Sequence, residues 1–233
     1  MFIYFVFFWP LVYTILHICY MFTNWERDIK DKVVRNIISG INGYITPLAA
    51  LTHVGICFFS STLTESAQRQ CSSNGMSVAA RTMWYSISLY LPTSYFIWDT
   101  YLIVLTHSRE YIYVCHHFIS LLAMQQIFDR TDYGLYLYYA LIGAEISNWP
   151  MYIIYHYRKV LPPAEHKSKT MQKLYFIQLV LYGCIRVFVL GILLIQALMT
   201  FYMPAFVKAS MVLLYLMGVS WARKIYTVYC TEG

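Results

Sequence analysis

The sequence predicts an all-α polytopic membrane protein of about seven transmembrane helices, and three observations predict this class. Of the 233 residues, 59% are hydrophobic and only 12% are charged, which is too apolar for a soluble domain. The apolar residues come in runs long enough to cross a bilayer. The basic residues, which give a formal net charge of +6, fall in short loops between these runs, a pattern typical of membrane topology and not of nucleic-acid binding.

Seven apolar segments can be placed along the chain. The first lacks the positive region and the cleavage site of a signal peptide, so we expect it to be retained as a transmembrane helix. The fourth is the shortest, which leaves a count of six helices open beside seven. The longest connections are residues 60–81, which are polar, and residues 158–170. The segments are predicted at residues 2–22, 36–59, 82–106, 111–128, 133–157, 173–200 and 205–229.

Loop charge predicts the orientation, because Lys and Arg are enriched on the cytoplasmic side of membranes. With seven helices, most of the basic residues fall in the loops 24–35, 107–110 and 158–173 and at the C-terminal end. All of these lie on one side. We therefore expect a lumenal N-terminus and a cytosolic C-terminus.

Several ionisable groups lie inside the apolar segments, where their cost makes a functional role the default hypothesis. Asp99 lies in the third segment and the pair His116-His117 in the fourth. With a rise of about 1.5 Å per residue, Asp99 and the histidines lie about 10 and 8 Å from the cytosolic ends of their helices. Glu145 and Arg186 lie deeper. These groups predict a polar column that is entered from the cytosolic half of the membrane.

Further polar residues share helical faces with these groups, at spacings of three, four or seven positions. Because each helix then offers one polar stripe, we expect these stripes to face the protein interior and to form the lining for a substrate. The stripe residues are Tyr95 with Asp99, Asn148 and Tyr152 with Glu145, and Tyr182 with Arg186.

Alternative roles remain open for these groups. Arg186 and Glu145 are also interpretable as a buried ion pair that fixes packing. Asp99 either orients a histidine or accepts hydrogen bonds from tyrosine hydroxyls. The histidines are too few and too irregularly spaced for a di-metal oxidase, so no metal site is predicted.

Proline and cysteine positions add two expectations. Pro47, Pro92 and Pro150 lie within apolar segments, where they should kink the helices and leave room for a cavity. Cys57 and Cys71 both fall at or beyond the predicted lumenal end of the second helix, where they either form a disulfide or remain two free thiols.

Five short motifs follow one another along the chain: RNIIS at 35–39, SYFIWD at 94–99, YVCHHFISLL at 113–122, EISNWP at 145–150 and GCIRVF at 183–188. In this order they resemble the TLC domain, the family that includes the ceramide synthases, over residues 35–224. In ceramide synthases further His and Asp residues follow the double histidine, whereas residues 141–147 of this chain offer only Glu145. The resemblance is therefore closer to the smaller TLC-domain proteins.

The resemblance implies a barrel of six helices around a lipid-sized cavity, after a more variable first helix. The TLC domain would cover residues 33–227, after a first helix and cytosolic loop at 1–32 and before a short cytosolic tail at 228–233. The catalytic role in acyl transfer would fall on His116 and His117, with Asp99 as their orienting partner.

Two functions follow as expectations. The first is transfer of an acyl group from acyl-CoA, as a co-substrate, to a membrane lipid. The second is non-catalytic lipid binding, lipid sensing or trafficking in the endoplasmic reticulum. Membrane lipids are the expected partners of either function, with no bound cofactor and no nucleic acid, and self-association remains open.

Overall fold

The computed structural model describes residues 2–61, 83–106, 111–128 and 134–232, which are almost entirely helical and contain no strand. A short 3₁₀ turn, Pro163–Lys167, precedes α7, and a π-helical segment, Gly183–Val189, joins α7 to α8. The helices are α1 (Phe2–Tyr20), α2 (Arg27–Ser61), α3 (Met83–Leu105), α4 (Tyr111–Phe128), α5 (Gly134–Ile146), α6 (Trp149–Val160), α7 (Lys169–Tyr182), α8 (Leu190–Met199) and α9 (Ala205–Glu232).

These helices form seven rods that correspond to the seven predicted segments, because α5 and α6 make one rod and α7 and α8 make another. The largest boundary difference is at α2, which begins at Arg27, so most of the predicted loop 24–35 is helical. The sequence of residues 27–35 contains neither Gly nor Pro and is rich in Arg and Lys, which favour helix. At the other end of the chain, α9 continues to Glu232, and the predicted tail is therefore largely helical.

The fifth rod is broken at Ser147 and Asn148. Pro150 lies in the first turn of α6 and has no amide hydrogen to continue the helical ladder. The Asn148 amide donates to the Glu145 carbonyl at 3.1 Å, one residue short of the α-helical partner. The Ala144 carbonyl is therefore available to side chains. Pro47 and Pro92 lie inside α2 and α3 without ending them.

The six rods after α1 pack in a closed order that we call the helix ring. Around the ring, α2 contacts α3, α3 contacts α4, α4 contacts α9, α9 contacts α7 and α8, and the α5/α6 rod closes the order between α7/α8 and α2. The first helix packs outside, against α2 and α3. Trp9, which is fully buried, fixes α1 by donating from Nε1 to the Leu91 carbonyl and Ser94 Oγ at 3.2 and 3.0 Å.

One end of the helix ring is filled by apolar side chains. A single buried cluster draws residues from α2, α3, α4, α5, α8 and α9, including Leu89, Ile127, Leu137 and Val207. At the same end α4 also contacts α5 across the ring. The apolar packing closes this half, so the buried charged groups concentrate toward the middle and the other half of the ring.

Among the described residues, two helices are long and apolar enough to cross a membrane by length and composition, Lys169–Met199 and Ala205–Thr231. A shorter apolar helix covers Tyr4–Tyr20. These features fit an all-α membrane protein. A seven-span arrangement remains a prediction at this stage.

Candidate functional site

The Asp99 carboxylate links α2, α3 and α4. Its Oδ1 accepts hydrogen bonds from Arg35 Nε and Nη2 at 3.4 and 3.3 Å, and its Oδ2 lies 3.8 Å from His117 Nδ1. The same histidine nitrogen lies 3.3 Å from Thr100 Oγ1. Asp99 and His117 are only 6% and 5% exposed, so the carboxylate and the imidazole lie close together in a dry environment. The structure thus brings Asp99 and His117 together, with Arg35 as an additional partner.

Tyr95 extends this cluster by one helical turn of α3. Its hydroxyl lies 2.6 Å from Ser39 Oγ, and Ser39 in turn donates to the Arg35 carbonyl at 2.9 Å. The Tyr95 ring meets the His117 ring edge to face at a centroid distance of 6.1 Å. The Tyr95 hydroxyl is therefore satisfied by α2, and the ring helps to confine His117.

The two histidines face different neighbours, since adjacent helical positions point about 100° apart. His117 stacks on Phe96 at a centroid distance of 5.0 Å. The His116 ring packs edge to face against the Trp221 ring of α9, with a centroid distance of 5.2 Å. His116 Nδ1 is buried and has no hydrogen-bond partner among the described residues. His117 is thus held by α3, whereas the half-buried His116 carries a buried ring nitrogen that has no partner among the described residues.

Arg186 connects the π-helical segment to the break between α5 and α6. Its Nε donates to Ser147 Oγ at 2.9 Å, and its Nη2 donates to the Ala144 carbonyl and Asn148 Oδ1 at 3.0 and 3.4 Å. The guanidinium also lies over the Tyr182 ring, 5.3 Å from the centroid. Arg186 therefore binds the carbonyl that the break releases, and two irregular backbone segments meet at one buried cation.

The buried ion pair between Arg186 and Glu145, left open by the sequence, is absent. Within the described part of the chain every hydrogen bond of Arg186 goes to a neutral acceptor. Glu145 is 6% exposed and is close enough for Arg186 to act on it electrostatically without forming a salt bridge. The break explains the difference, because it places the Ser147 hydroxyl and the Ala144 carbonyl within hydrogen-bonding distance of the guanidinium.

Arg186 acts electrostatically on His116, Glu145, Tyr152 and Tyr182. These residues come from α4, α5, α6 and α7. The predicted site residues therefore form two clusters, one around Asp99 and His117 and one around Arg186, and His116 lies beside His117 of the first cluster and within the electrostatic influence of Arg186.

Two further polar groups near Arg186 lack partners among the described residues. The Tyr182 hydroxyl and Gln178 Oε1 are buried without a hydrogen bond, although Gln178 Nε2 donates to the Ser147 carbonyl at 3.4 Å. An unpaired buried polar atom costs about 1–3 kcal/mol. These atoms and His116 Nδ1 are thus groups that a bound polar molecule could satisfy.

Tyr152 packs directly on α2. A Cβ atom added to Gly43 would lie 2.4 Å from Tyr152 Cε2, so the ring occupies the space that only glycine leaves. Polar contacts hold the two helices together around it: Asn36 Nδ2 donates to the Tyr152 carbonyl at 3.1 Å, and Trp149 Nε1 donates to the Gly43 carbonyl. The Tyr152 side chain therefore reaches from the α2/α6 seam toward Glu145 and Arg186.

Sequence reasoning missed Arg35, Thr100, Ser147 and Trp221 as site residues. Arg35 was assigned to a loop, although its spacing of four from Ser39 was a signal that both lie on one helical face. The signal for Ser147 was its place beside the predicted kink. Trp221 carried no signal, because its contact with His116 depends on how α9 packs.

Two apolar grooves lie on the outside of the helix ring. One, of about 500 Å³, runs between α2 and α6 and includes Tyr152. The other, of about 420 Å³, lies among α2, α5 and the π-helical segment and includes Leu51. Neither contains the histidine pair. Across the described ranges, no group of three or more His, Cys, Asp or Glu side chains is placed to hold a metal ion.

Cys71 lies outside the described part of the chain, so the Cys57–Cys71 disulfide remains a prediction. Comparison with protein-family models, curated proteins and solved structures finds no match to this chain. The TLC resemblance therefore rests on the ordered motifs alone.

Proposed function

We propose that this chain is a TLC-type membrane protein of the endoplasmic reticulum, and that it transfers an acyl group from acyl-CoA to a membrane lipid inside the helix ring. All seven rods would span the membrane, with the polar half of the ring toward the cytosol. One observation carries the proposal: His117 is held by Asp99 and Thr100, while His116 Nδ1 is buried without a partner. A histidine with a free ring nitrogen beside a second histidine that is held in place is suited to acid–base chemistry.

The proposed reaction uses His116 as the group that contacts substrate. Its imidazole accepts the proton of a lipid hydroxyl or amine as that group attacks the thioester carbonyl. The new ester or amide bond forms, the C–S bond breaks, and the thiolate leaves as CoA after taking up the proton. His117 acts as a positioning residue, and Arg186 supplies positive charge near the carbonyl oxygen that becomes anionic.

A second candidate function is non-catalytic binding of a lipid head group by the same interior. One observation favours it: Asp99 Oδ1 is engaged by Arg35, and His117 Nδ1 lies nearer to Thr100 than to Asp99. Asp99 is then a structural anion that stabilises α2 against α3. The unpaired atoms of Gln178 and Tyr182 would serve head-group recognition in this case.

The test is the rate of CoA release from palmitoyl-CoA by the purified protein in lipid vesicles. His116→Gln should lower this rate by about 100-fold or more, because removal of a general base typically costs that much. His166→Gln is the matched control, since His166 lies in the 3₁₀ turn outside the helix ring and should leave the rate unchanged. Equal rates for both variants would contradict the acyl-transfer proposal.

A further inference from the structure

The groove between α2 and α6 differs from an ordinary lipid-facing surface in its connection to the interior. It has a volume of about 500 Å³, within the range of small-molecule pockets. Most of its lining is apolar, including Ile37, Ile41, Ile45 and Ile153. Asn36 and His156 are polar exceptions in the lining. An apolar trough with polar groups suits an amphipathic molecule.

Tyr152 separates this groove from the polar interior. The residue lines the groove, its ring lies against Gly43, and it lies within the electrostatic reach of Glu145 and Arg186. Among the described residues, no other side chain of the groove both packs against Gly43 and lies within the electrostatic reach of Glu145 and Arg186. Tyr152 is therefore the groove residue that also borders the polar groups of the site.

The geometry points to the α2/α6 groove as a lateral lipid-entry site, in which the acyl chain of a membrane glycerophospholipid lies and Tyr152 is the gate to the interior. The head group of the same lipid would reach Arg186 and His116 when the Tyr152 side chain moves aside. The commitment to a lipid chain follows from the apolar lining, the position on the outside of apolar helices and the continuity with the polar interior. The inference rests on the proposed function for the destination of the lipid.

Two glycines of α2 lie against Tyr152 and leave space for its side chain. The ideal Cβ of Gly40 would lie in ordinary contact with Tyr152, at 3.6 Å from its Cβ, whereas that of Gly43 would overlap the ring. Gly43 thus supplies the space in which the closed ring rests. The second outer groove has a comparable volume of about 420 Å³ and an apolar lining, but Tyr152 is not part of that lining.

The probe for this inference is a phosphatidylcholine with a diazirine in the middle of one acyl chain, mixed into vesicles that hold the purified protein. After illumination, mass spectrometry locates the label on the peptides of α2 and α4. Ile153→Trp fills the groove and should lower labelling of residues 36–45 by about threefold or more, because an indole occupies the space of the chain. Leu51→Trp, which fills the other groove, is the matched control and should leave that labelling unchanged.

The gate is tested with the same probe. Tyr152→Ala removes the ring and should raise labelling of the α4 peptide that contains His116, whereas Tyr152→Phe keeps the ring and should not. Tyr152→Leu provides a second opening variant if the alanine variant fails to fold. Equal groove labelling in Ile153→Trp and Leu51→Trp, or unchanged α4 labelling in the folded opening variant, overturns the inference.

The result is separable from the proposed chemistry, because labelling needs no acyl-CoA and no turnover. Groove labelling with the predicted changes but without CoA release would retain the entry site and reject acyl transfer. CoA release with uniform labelling would retain the enzyme and reject the lateral entry site.

Discussion

Arg35 and Asp99 hold the histidine side of the site at the residue scale. The two side chains lie 3.3 Å apart, and Asp99 is almost fully enclosed. A carboxylate in that position is tolerated because Arg35 neutralises it, and removal of one partner leaves the other charge poorly solvated. The pair therefore fixes α2 against α3 beside His117.

Replacing Asp99 alone should destabilise the protein more than replacing Asp99 and Arg35 together. Asp99→Leu leaves Arg35 without this carboxylate and should lower the free energy of unfolding by about 2 kcal/mol or more, whereas Arg35→Met/Asp99→Leu should recover much of that loss. The measurement is the midpoint of thermal unfolding in detergent micelles for both single variants and the double variant. Additive effects would show that the two residues do not depend on each other.

Gly43 and Gly55 provide a matched pair of glycines within α2. Gly55→Ala meets no neighbouring atom and should stabilise the protein by about 0.5–1 kcal/mol through helix propensity. Gly43→Ala should lose that gain because the added Cβ would overlap the Tyr152 ring, which must then shift. Thermal unfolding of the two variants distinguishes these results, and equal stabilisation would mean that the ring does not depend on Gly43.

Single residues were only partly predictable from the sequence. The cost of burying charge identified Asp99, His117, Glu145 and Arg186, and all four are buried. The partner of Arg186 was not predictable, since it depends on a carbonyl released by the helix break. Sequence spacing describes faces of regular helices and carries no information about atoms displaced by an irregular turn.

At the scale of elements, the break between α5 and α6 and the π-helical segment Gly183–Val189 support each other. The break releases backbone and side-chain acceptors, and the wider π turn carries the guanidinium that binds them. π-helical turns inside α-helices frequently occur at functional sites. The two irregular segments together therefore fix the position of the Arg186 guanidinium.

Ser147 and Ser210 allow this support to be measured. Both hydroxyls donate to a carbonyl of their own helix, but only Ser147 also accepts from Arg186. Ser147→Ala should cost about 1.5–3 kcal/mol, the value for a hydrogen bond to a charged group, and Ser210→Ala about 1 kcal/mol or less. Chemical unfolding of both variants in micelles gives the comparison. Similar losses would place the stabilising contact elsewhere.

The elements themselves were largely predictable because long apolar runs admit few alternatives to helix in this composition. The predicted α4 boundaries, 111–128, coincide with those observed. The π-helical segment was not predictable, since residues 183–189 read as a regular apolar helix. The segment contains Arg186, which bonds to the neighbouring rod, and sequence periodicity carries no information about such a contact.

At the scale of the whole molecule, the helix ring is asymmetric along its length. Apolar packing fills the end near the start of α5, where the buried His53 ring lies against Tyr85 and Tyr138. The buried Asp99, Glu145 and Arg186 lie outside that cluster. The predicted orientation would place the polar half of the ring at the cytosol, where acyl-CoA is available. Closed apolar packing on the lumenal side would then prevent the interior from becoming an open pore.

The orientation predicts where Cys230 lies. This exposed cysteine near the end of α9 should react with a membrane-impermeant maleimide in sealed, right-side-out endoplasmic reticulum vesicles, without detergent. Because Cys19, Cys115 and Cys184 are also exposed, the label is read on the peptide that contains residue 230, and Cys230→Ser, which should remove the label from that peptide, serves as the control. Labelling that depends on detergent permeabilisation would reverse the orientation or change the number of spans.

The most direct test of the histidine-centred account is mass spectrometry of bound lipids, acyl adducts and acylated products. The comparison uses the wild-type protein and His116→Ala/His117→Ala after incubation with palmitoyl-CoA and vesicle lipid. The account predicts transfer to a lipid, or an acyl adduct on residues 113–122, in the wild type and neither product in the folded variant. Bound lipid in both proteins without adduct, product or CoA release would contradict acyl transfer and favour the head-group binding role.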